Sequence, residues 1–442
     1  MSARPERDEQ PLVEDRLGER ARVYGSERAI LVSLVLPQNR NADSLRELES
    51  LADTAGIPTL ACMTQSRLRP DPRYFVGKGK VEEIKAAASE VGADVIIFDS
   101  ELTPGQGRNL EETVGAKVID RTQLIMDIFA QRAATKEAML QVELAQLRYL
   151  LPRLRGWGEA LSSFGAGIGT RGPGETKLES DRQKIRHRIH AIETRLKKVE
   201  LERALQRKRR TQGSTPQVAL VGYTNSGKST LLNALCGTTA LVEDKLFATL
   251  STAVRRGSLG EGRLALFIDT VGFIRALPHH LIPAFAATLE AVREADLILH
   301  LVDLGSPAPE EEYRAVLETL EQEVFIDEGP RPPILDVLNK IDLGGPAESL
   351  AESFSAAAAI SAKEGLGIES LLSRIRAILY PNDALVVLSV PYAASALVHQ
   401  LTGEGRATVK GYTGDGVEIQ ATLSPEELER LKRAGARVSL SA

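Results

Sequence analysis

Along this chain the apolar positions change their period several times, and each change marks an element. The run AILVSLVL from Ala29 is continuous enough for a buried strand, and DSLRELESLADTAG then places apolar residues at helical spacing and closes on Gly56. The alternation recurs. VEEIKAAASEVG reads as a helix, DVIIFD as a strand, PGQGRNLEETVG as a helix with proline near its start, and AKVID as a short strand. Alternating strand and helix predict a small parallel-sheet α/β domain over residues 26–120. The preceding residues 1–25 mix acids and arginines without apolar periodicity and read as a charged tail.

At Arg121 the pattern changes. No strand signal appears before Leu154, and Leu140, Leu144, Leu147 and Leu151 recur at the spacing of a helix seam. A glycine-rich loop, 156–175, interrupts it, and a second helix from about Thr176 carries Ile185, Ile189, Ile192, Leu196 and Val199. Two helices joined by one loop predict an antiparallel hairpin over 121–212, packed seam to seam.

TQGSTPQ marks the next boundary, after which VALV, RLALFID, ADLILHLVDL and PILDVLN read as strands with helices between them. They predict a second α/β domain, 215–381, with a mainly parallel sheet. The remainder, 383–442, reads strand, helix, strand, strand, helix, strand: ALVVLSV, a helix near 392–401, RATVKGY, GVEIQATL, SPEELERLKRAG and ARVSLS. That is a compact α+β module. The whole is therefore a multidomain α/β chain.

A length of 442 residues agrees with several domains, and 43% hydrophobic with 26% charged residues is enough apolar surface for real cores. No apolar run reaches the roughly 20 residues of a membrane span, and the start lacks a secretory signal core. Cys62 and Cys236 stand apart without metal-ligand spacing, so a reducing cytoplasm is expected. Net charge is −5, yet residues 182–210 carry twelve Lys or Arg against three Glu, so this segment is +9 and the rest is −14. Such a bias makes a polyanion such as RNA a candidate partner, through contacts that read phosphate and not sequence.

Residues Gly222, Tyr223, Thr224, Asn225, Ser226, Gly227, Lys228 and Ser229 fit the GxxxxGK[ST] phosphate loop, with the strand VALV before it and the helical STLLNAL after it. The 215–381 region is thus expected to be a P-loop domain. Glycines let backbone N–H groups approach phosphate oxygens, Lys228 is expected at the β- and γ-phosphates, and Ser229 at Mg²⁺. LALFID ends in Asp269, followed by Thr270, Val271 and Gly272. Asp269 is placed to hold Mg²⁺ through a water, and the Gly272 N–H to donate to a γ-phosphate when one is present. The base is chosen by Asn339, Lys340, Ile341 and Asp342, because the Asp342 carboxylate accepts from both N1–H and the 2-amino group of guanine, donors that adenine lacks. Ser361, Ala362 and Lys363 follow an apolar run and complete the pocket with a backbone N–H for the base oxygen.

The stretches YFVGKGKVEEI, ELTPGQGRNLE, DRTQLIMDIFAQRAATKEAMLQVELAQLRYLLPRL, GIGTRGPGETKLESDRQKIRHRI, LFATL and DTVGFI run over nearly the whole chain. In them the sequence resembles the HflX family of ribosome-associated GTPases, within the translation-factor-related class. The resemblance implies that Phe247, Ala248, Thr249, Leu250 and Ser251 form switch I, with Thr249 closing on Mg²⁺ in the triphosphate state. It also implies a large-subunit (50S) and rRNA partner met by the hairpin loop, and a role in separating or rescuing stalled ribosomes or in ribosome biogenesis. Arg171, Lys177, Arg182, Lys184, Arg186 and Arg188 are the RNA-binding candidates. A monomer is expected, with no DNA partner. Two departures stand out: Ser251, Thr252, Ala253 and Val254 replace the family's usual continuation of LFATL, and WGEALSSF lacks the basic residues expected before the glycine loop.

Phe273 follows Gly272 where many signalling GTPases carry a water-orienting glutamine, so hydrolysis is expected to be slow until a partner completes the site. Lys228, Thr249 and Gly272 are the catalytic candidates; His279 and His280 read as surface residues. Two rival readings are a signalling GTPase with a protein partner and no RNA, and an added ATP-driven RNA-remodelling activity whose cue is the turn Gly77, Lys78, Gly79, Lys80.

Overall fold

The computed structural model describes residues 27–37, 43–154, 173–210, 215–237, 246–247, 253–275, 281–326, 329–344, 358–403 and 405–439. The tail 1–25, most of the 156–175 loop with Arg171, the stretch Ala248 to Thr252, and His279 and His280 lie outside them, as does the Lys177 side chain. Contacts divide the chain into two compact units. One is Met1–Arg207 with Asp244–Ser251 and Ala276–Ala286; the other is Lys208–Glu243, Thr252–Arg275 and Ala287–Ala442.

In the first unit four strands, β1 (Ala29–Val35), β2 (Thr59–Ser66), β3 (Val95–Phe98) and β4 (Lys117–Asp120), form a parallel sheet in the order β2-β1-β3-β4. The pattern of β1 is continuous because both of its faces are covered. The sequence reading had no counterpart to β2. Its residues alternate between half-buried and exposed, since it is an edge strand with one open face, and that weak alternation hid it.

Helices α1 (Asp43–Thr54), α2 (Lys78–Val91) and α3 (Pro104–Val114) connect the strands. In α3 the Thr103 and Gln106 side chains form a reciprocal capping box, Pro104 occupies the first turn, and Gly115 ends the helix. The Gly77–Lys80 turn is the start of α2. Gly77 caps it, donating its N–H to Gln65 Oε1 at 2.8 Å, and Lys80 pairs with Glu83. Asp120 is 1% exposed and joins four elements. Its carboxylate caps α4 (Arg121–Arg132) by accepting from Gln123 N–H, and also takes Leu102 N–H and the Arg153 guanidinium at the end of α5 (Lys136–Arg153).

Helix α5 pairs with α6 (Pro173–Arg210) through the expected seam: Leu144, Leu147 and Ile192 are buried, with Leu140, Ile185, Ile189 and Leu196 packed on them. Two ion pairs flank the seam, Arg148 to Glu193 and a two-pronged contact from Arg188 to Glu143. This unit also holds Phe247 and Phe285. Both rings stand edge-on to Phe129 of α4, at 4.8 Å and 5.3 Å, and Leu246 N–H donates to Thr54 Oγ1 at 3.2 Å.

The second unit is built on six strands in the order β10-β9-β8-β5-β7-β6: β5 (Gln217–Gly222), β6 (Ala253–Gly260), β7 (Arg263–Asp269), β8 (Leu297–Asp303), β9 (Ile334–Asn339) and β10 (Ala358–Ala359). All pairings are parallel except β6 with β7. Strand β6, which reads AVRRGSLG and so carries arginines and glycines on an edge, was not foreseen. Helices α7 (Lys228–Cys236), α9 (Pro309–Thr319) and α10 (Ile368–Leu379) complete it, with the part of α8 (Ile282–Arg293) from Ala287 onward. Beyond them β11 (Ala384–Pro391), α11 (Ser395–Gly403), β12 (Ala407–Tyr412), β13 (Gly416–Leu423), α12 (Pro425–Arg433) and β14 (Arg437–Ser439) follow the expected order and make an antiparallel sheet, β12-β13-β11-β14. No helix among the described residues is long and apolar enough to cross a membrane.

The C-terminal sheet is clamped to the β6–β7 hairpin. Arg263, at the start of β7, pairs with Asp383 and Glu427, and Arg406 shares Glu427. Tyr380 stacks under the Arg263 guanidinium, and Thr422 Oγ1 donates to Glu261. Burial by itself raises the Glu427 pKa, but hydrogen bonds from Arg406, the Ser424 N–H and Arg263 outweigh it and hold this carboxyl at about 2, against an ordinary 4.5. The folded pKa is the lower one, so the stabilisation is complete above pH 4.5 and is lost as pH falls towards about 2. Glu427→Gln should therefore melt below the wild type at neutral pH, with a gap that narrows on acidification from about pH 4.5. Melting curves followed by circular dichroism between pH 7 and 3 measure it; a gap independent of pH contradicts the linkage.

Candidate nucleotide site

The glycine loop lies between the end of β5 at Gly222 and the start of α7 at Lys228. No side chain caps α7, so its first N–H groups face the loop and present positive potential there. Gly227 occupies the left-handed region at φ 91°, and a Cβ on it would come within 2.3 Å of Asn339 Nδ2, so glycine alone fits. Lys228 is 7% exposed, and its ammonium donates to Gly222 O at 3.1 Å and Tyr223 O at 2.7 Å. Burial pulls this lysine down to about 8 from an ordinary 10.5, opposed by Asp269 and assisted by Lys340. Thr224 and Ser226 have buried hydroxyls without a hydrogen-bond partner among the described residues, whereas Asn225 is exposed in the left-handed region. Orphaned donors beside a cationic loop suit phosphate oxygens.

Across from the loop, Asp269 ends β7 and accepts from Ser229 Oγ at 2.7 Å. A hydroxyl and a carboxylate at this separation form the hard-oxygen donor set that Mg²⁺ takes, so the residues present fit that ion. Thr270 donates to Leu220 O and fixes the strand end, and Val271 is fully buried. Gly272 lies close over the loop: a Cβ there would sit 2.8 Å from Thr224 Cα and 3.1 Å from Lys228 Nζ, which puts its backbone beside the lysine expected at the γ-phosphate. Phe273 is 2% exposed, with its side chain in the core and both its N–H and C=O bonded to the loop backbone at Gly222 and Thr224. It offers nothing to orient a water.

The residues expected on the base side lie together. Asn339, at the end of β9, donates to Ser226 O at 2.8 Å and accepts from Ala362 N–H at 3.0 Å, thereby tying the glycine loop to the Ser361–Lys363 stretch. Lys340 has φ 67°, and Asp303 at the end of β8 takes its ammonium at 2.7 Å. Asp342 is exposed, and the Ser361 hydroxyl, together with Lys363 and Lys340, holds its carboxyl below the usual range despite some desolvation. It is ionised at neutral pH and can accept two donors from one base edge. Ile341 packs on Val302, Leu304 and Leu338, and Lys363 is exposed beside the pocket.

The structure thus brings together Gly222 to Ser229, Asp269 to Gly272, Asn339 to Asp342 and Ser361 to Lys363. Phe247, by contrast, is buried on Phe129, and Thr249 with its neighbours Ala248, Leu250 and Ser251 lies outside the described residues. Among the RNA-binding candidates, Lys184 and Arg186 are well exposed, Arg188 is committed in part to Glu143, and Arg182 is mostly covered and pairs with Glu179. Asp303 and Tyr223 have roles the sequence did not reveal; the only signal for Asp303 was its place at a strand end.

Three family models match consecutive stretches: GTP-binding GTPase N-terminal over residues 42–130, GTP-binding GTPase middle region over 132–210, and 50S ribosome-binding GTPase over 217–340. Among curated relatives, GTPase HflX of Caldanaerobacter subterraneus subsp. tengcongensis is 46% identical over 406 residues, covering 92% of this chain and 93% of that protein. GTPase HflX of Escherichia coli K12 is 48% identical over 323 residues, covering 73% and 75%. Among solved structures, a GTP-binding protein from the hyperthermophilic archaeon Sulfolobus solfataricus in complex with GDP aligns at 23% identity with a TM-score of 0.43, covering 80% of this chain and 98% of that one.

Proposed function

Because this chain belongs to the HflX family of GTPases, its reaction is the hydrolysis of GTP, and we propose that it carries this out as a switch on the large ribosomal subunit. The observation that carries the nucleotide half is Asn339, which bonds the glycine loop on one side and Ala362 on the other, so that phosphate and base sites share one frame. In this reading Lys228 and the α7 N-terminus hold the phosphates and the Gly272 N–H meets the γ-phosphate. Ser229 and Asp269, joined by Thr249, would hold Mg²⁺, which would supply neutralisation of phosphate charge. Asp342 selects guanine. With Phe273 turned inward, hydrolysis by the free protein is slow and a bound partner completes the water-positioning step.

The matched family description, a 50S ribosome-binding GTPase, and the +9 segment 182–210 support an rRNA partner. The exposed cations of α6 suit phosphate contacts, and separation of stalled ribosomes or ribosome biogenesis follows as the biological setting. Its test uses charges that the fold does not need. Lys184→Glu combined with Arg186→Glu, Lys197→Glu and Lys198→Glu should lower cosedimentation with purified large subunits about tenfold or more and flatten its salt dependence. The same assay with GDP and with a non-hydrolysable GTP analogue should favour the analogue. Equal binding in both nucleotides, or a quadruple variant that binds like the wild type, sinks the proposal and returns the protein-partner switch to favour.

A further inference from the structure

Tyr223 is the second residue of the glycine loop, and its side chain points away from the phosphate side into the body of the second unit. It is 7% exposed and packs in a tight cavity with His300, Asp303, Glu312, Tyr313 and Val316. Its hydroxyl accepts the backbone N–H of Arg275 at 3.0 Å. Its carbonyl accepts the Lys228 ammonium at 2.7 Å. Between these two contacts, the loop and the segment after β7 lie side by side as a short parallel bridge: Thr224 N–H donates to Phe273 O at 2.8 Å, and Phe273 N–H to Gly222 O at 3.1 Å. Arg275 is held a second time from outside, its guanidinium meeting Glu311 of α9 at 2.9 Å. Gly272 therefore sits in a segment gripped just downstream at Phe273 and Arg275, and Tyr223 takes part on both sides of that grip.

We propose that Tyr223 is a positioning residue for GTP hydrolysis, holding the Gly272 N–H over the phosphate loop by anchoring Arg275, with Glu311 as the outer support of the same anchor. This rests on the reading of Gly272 as the γ-phosphate donor. A backbone donor can distinguish triphosphate from diphosphate only if its position is fixed to a few tenths of an ångström, since hydrogen bonds weaken quickly with distance and angle. Glycine at 272 permits the close approach but gives no rigidity, so the rigidity must come from neighbours. Tyr223 supplies it through a residue that already holds Lys228, which keeps the lysine and the switch backbone in one register. The buried tyrosine side chain is thus a specificity element for the third phosphate that acts through the backbone around Gly272.

The test is Tyr223→Phe in the full chain, which keeps the ring and removes the hydroxyl that accepts the Arg275 N–H. Turnover of GTP, and the preference for a non-hydrolysable GTP analogue over GDP, should both fall about three- to tenfold, the effect of one hydrogen bond, while GDP affinity stays within about twofold. Glu311→Gln should move both quantities in the same direction by less. Tyr313→Phe removes a hydroxyl from the same cavity, one that donates to Asp336, and should leave them unchanged. Unaltered turnover in Tyr223→Phe, an equal loss of GDP affinity, or an equal loss in Tyr313→Phe overturns the proposal. If the wild type itself binds the analogue and GDP alike, the reading of Gly272 fails instead; melting temperatures of the three variants identify any that are simply unfolded.

Discussion

Asp342→Asn should cost GTP roughly a hundredfold or more in affinity and transfer the preference to xanthosine triphosphate. In the proposed site the carboxylate accepts both N1–H and the 2-amino group of guanine, and the Ser361 hydroxyl with Lys363 and Lys340 keeps it charged. An amide in its place turns one acceptor into a donor, which faces the guanine amino group as donor against donor. Xanthine carries a carbonyl at that position, so the asparagine amide meets an acceptor and the pairing is restored. Competition binding with both triphosphates measures the exchange. Retained GTP affinity would mean that Asp342 lies outside the base site, whereas loss of both nucleotides would point to damage in the Asn339 frame.

Loss of Lys228 should have an effect of the same order on the phosphate side. Lys228→Ala is expected to reduce kcat/KM for GTP by about a hundred- to a thousandfold, as removal of one positioned charge from a transition-state clamp does. The buried ammonium also sets a pH dependence. In the nucleotide-free protein it titrates at about 8, so GDP and GTP should bind with constant affinity below that pH and more weakly above it, by up to tenfold per pH unit. Stability moves the other way. The unfolded lysine holds its proton to about 10.5, so the cost of burying the charge is present below pH 8 and is relieved between the two values. Titration calorimetry and chemical denaturation from pH 7 to 9.5 follow the two opposed trends, and affinity that is flat across that range removes Lys228 from the phosphate site.

What the sequence made legible was what lies close together along the chain. The loop from Gly222 to Ser229, Asp269 at its strand end and the Asn339–Asp342 run each bring their own local structure, so reading them in order was enough to place them in one site. The C-terminal module was visible for the same reason, because its strands and helices alternate cleanly. Features that depend on distant partners were not visible. Asp303 meets Lys340 across 37 positions and Tyr223 meets Arg275 across 52, and nothing in either segment announces the other. Strands β2 and β6 escaped notice because edge strands mix polar and apolar residues, and the charge count alone did not distinguish Arg188, two-pronged on Glu143, from the more exposed Lys184.

Strand β7 begins at Arg263, which is locked to the C-terminal sheet by Asp383 and Glu427, and ends at Asp269, which faces Ser229. Seven residues of extended backbone make a strut of about 20 Å, paired on both sides and so stiff along its length. The carboxylate and the clamp are its two ends. Whatever grips the C-terminal module takes hold of the phosphate site by the far end of this strut, and a pull there has no slack linker in which to be lost.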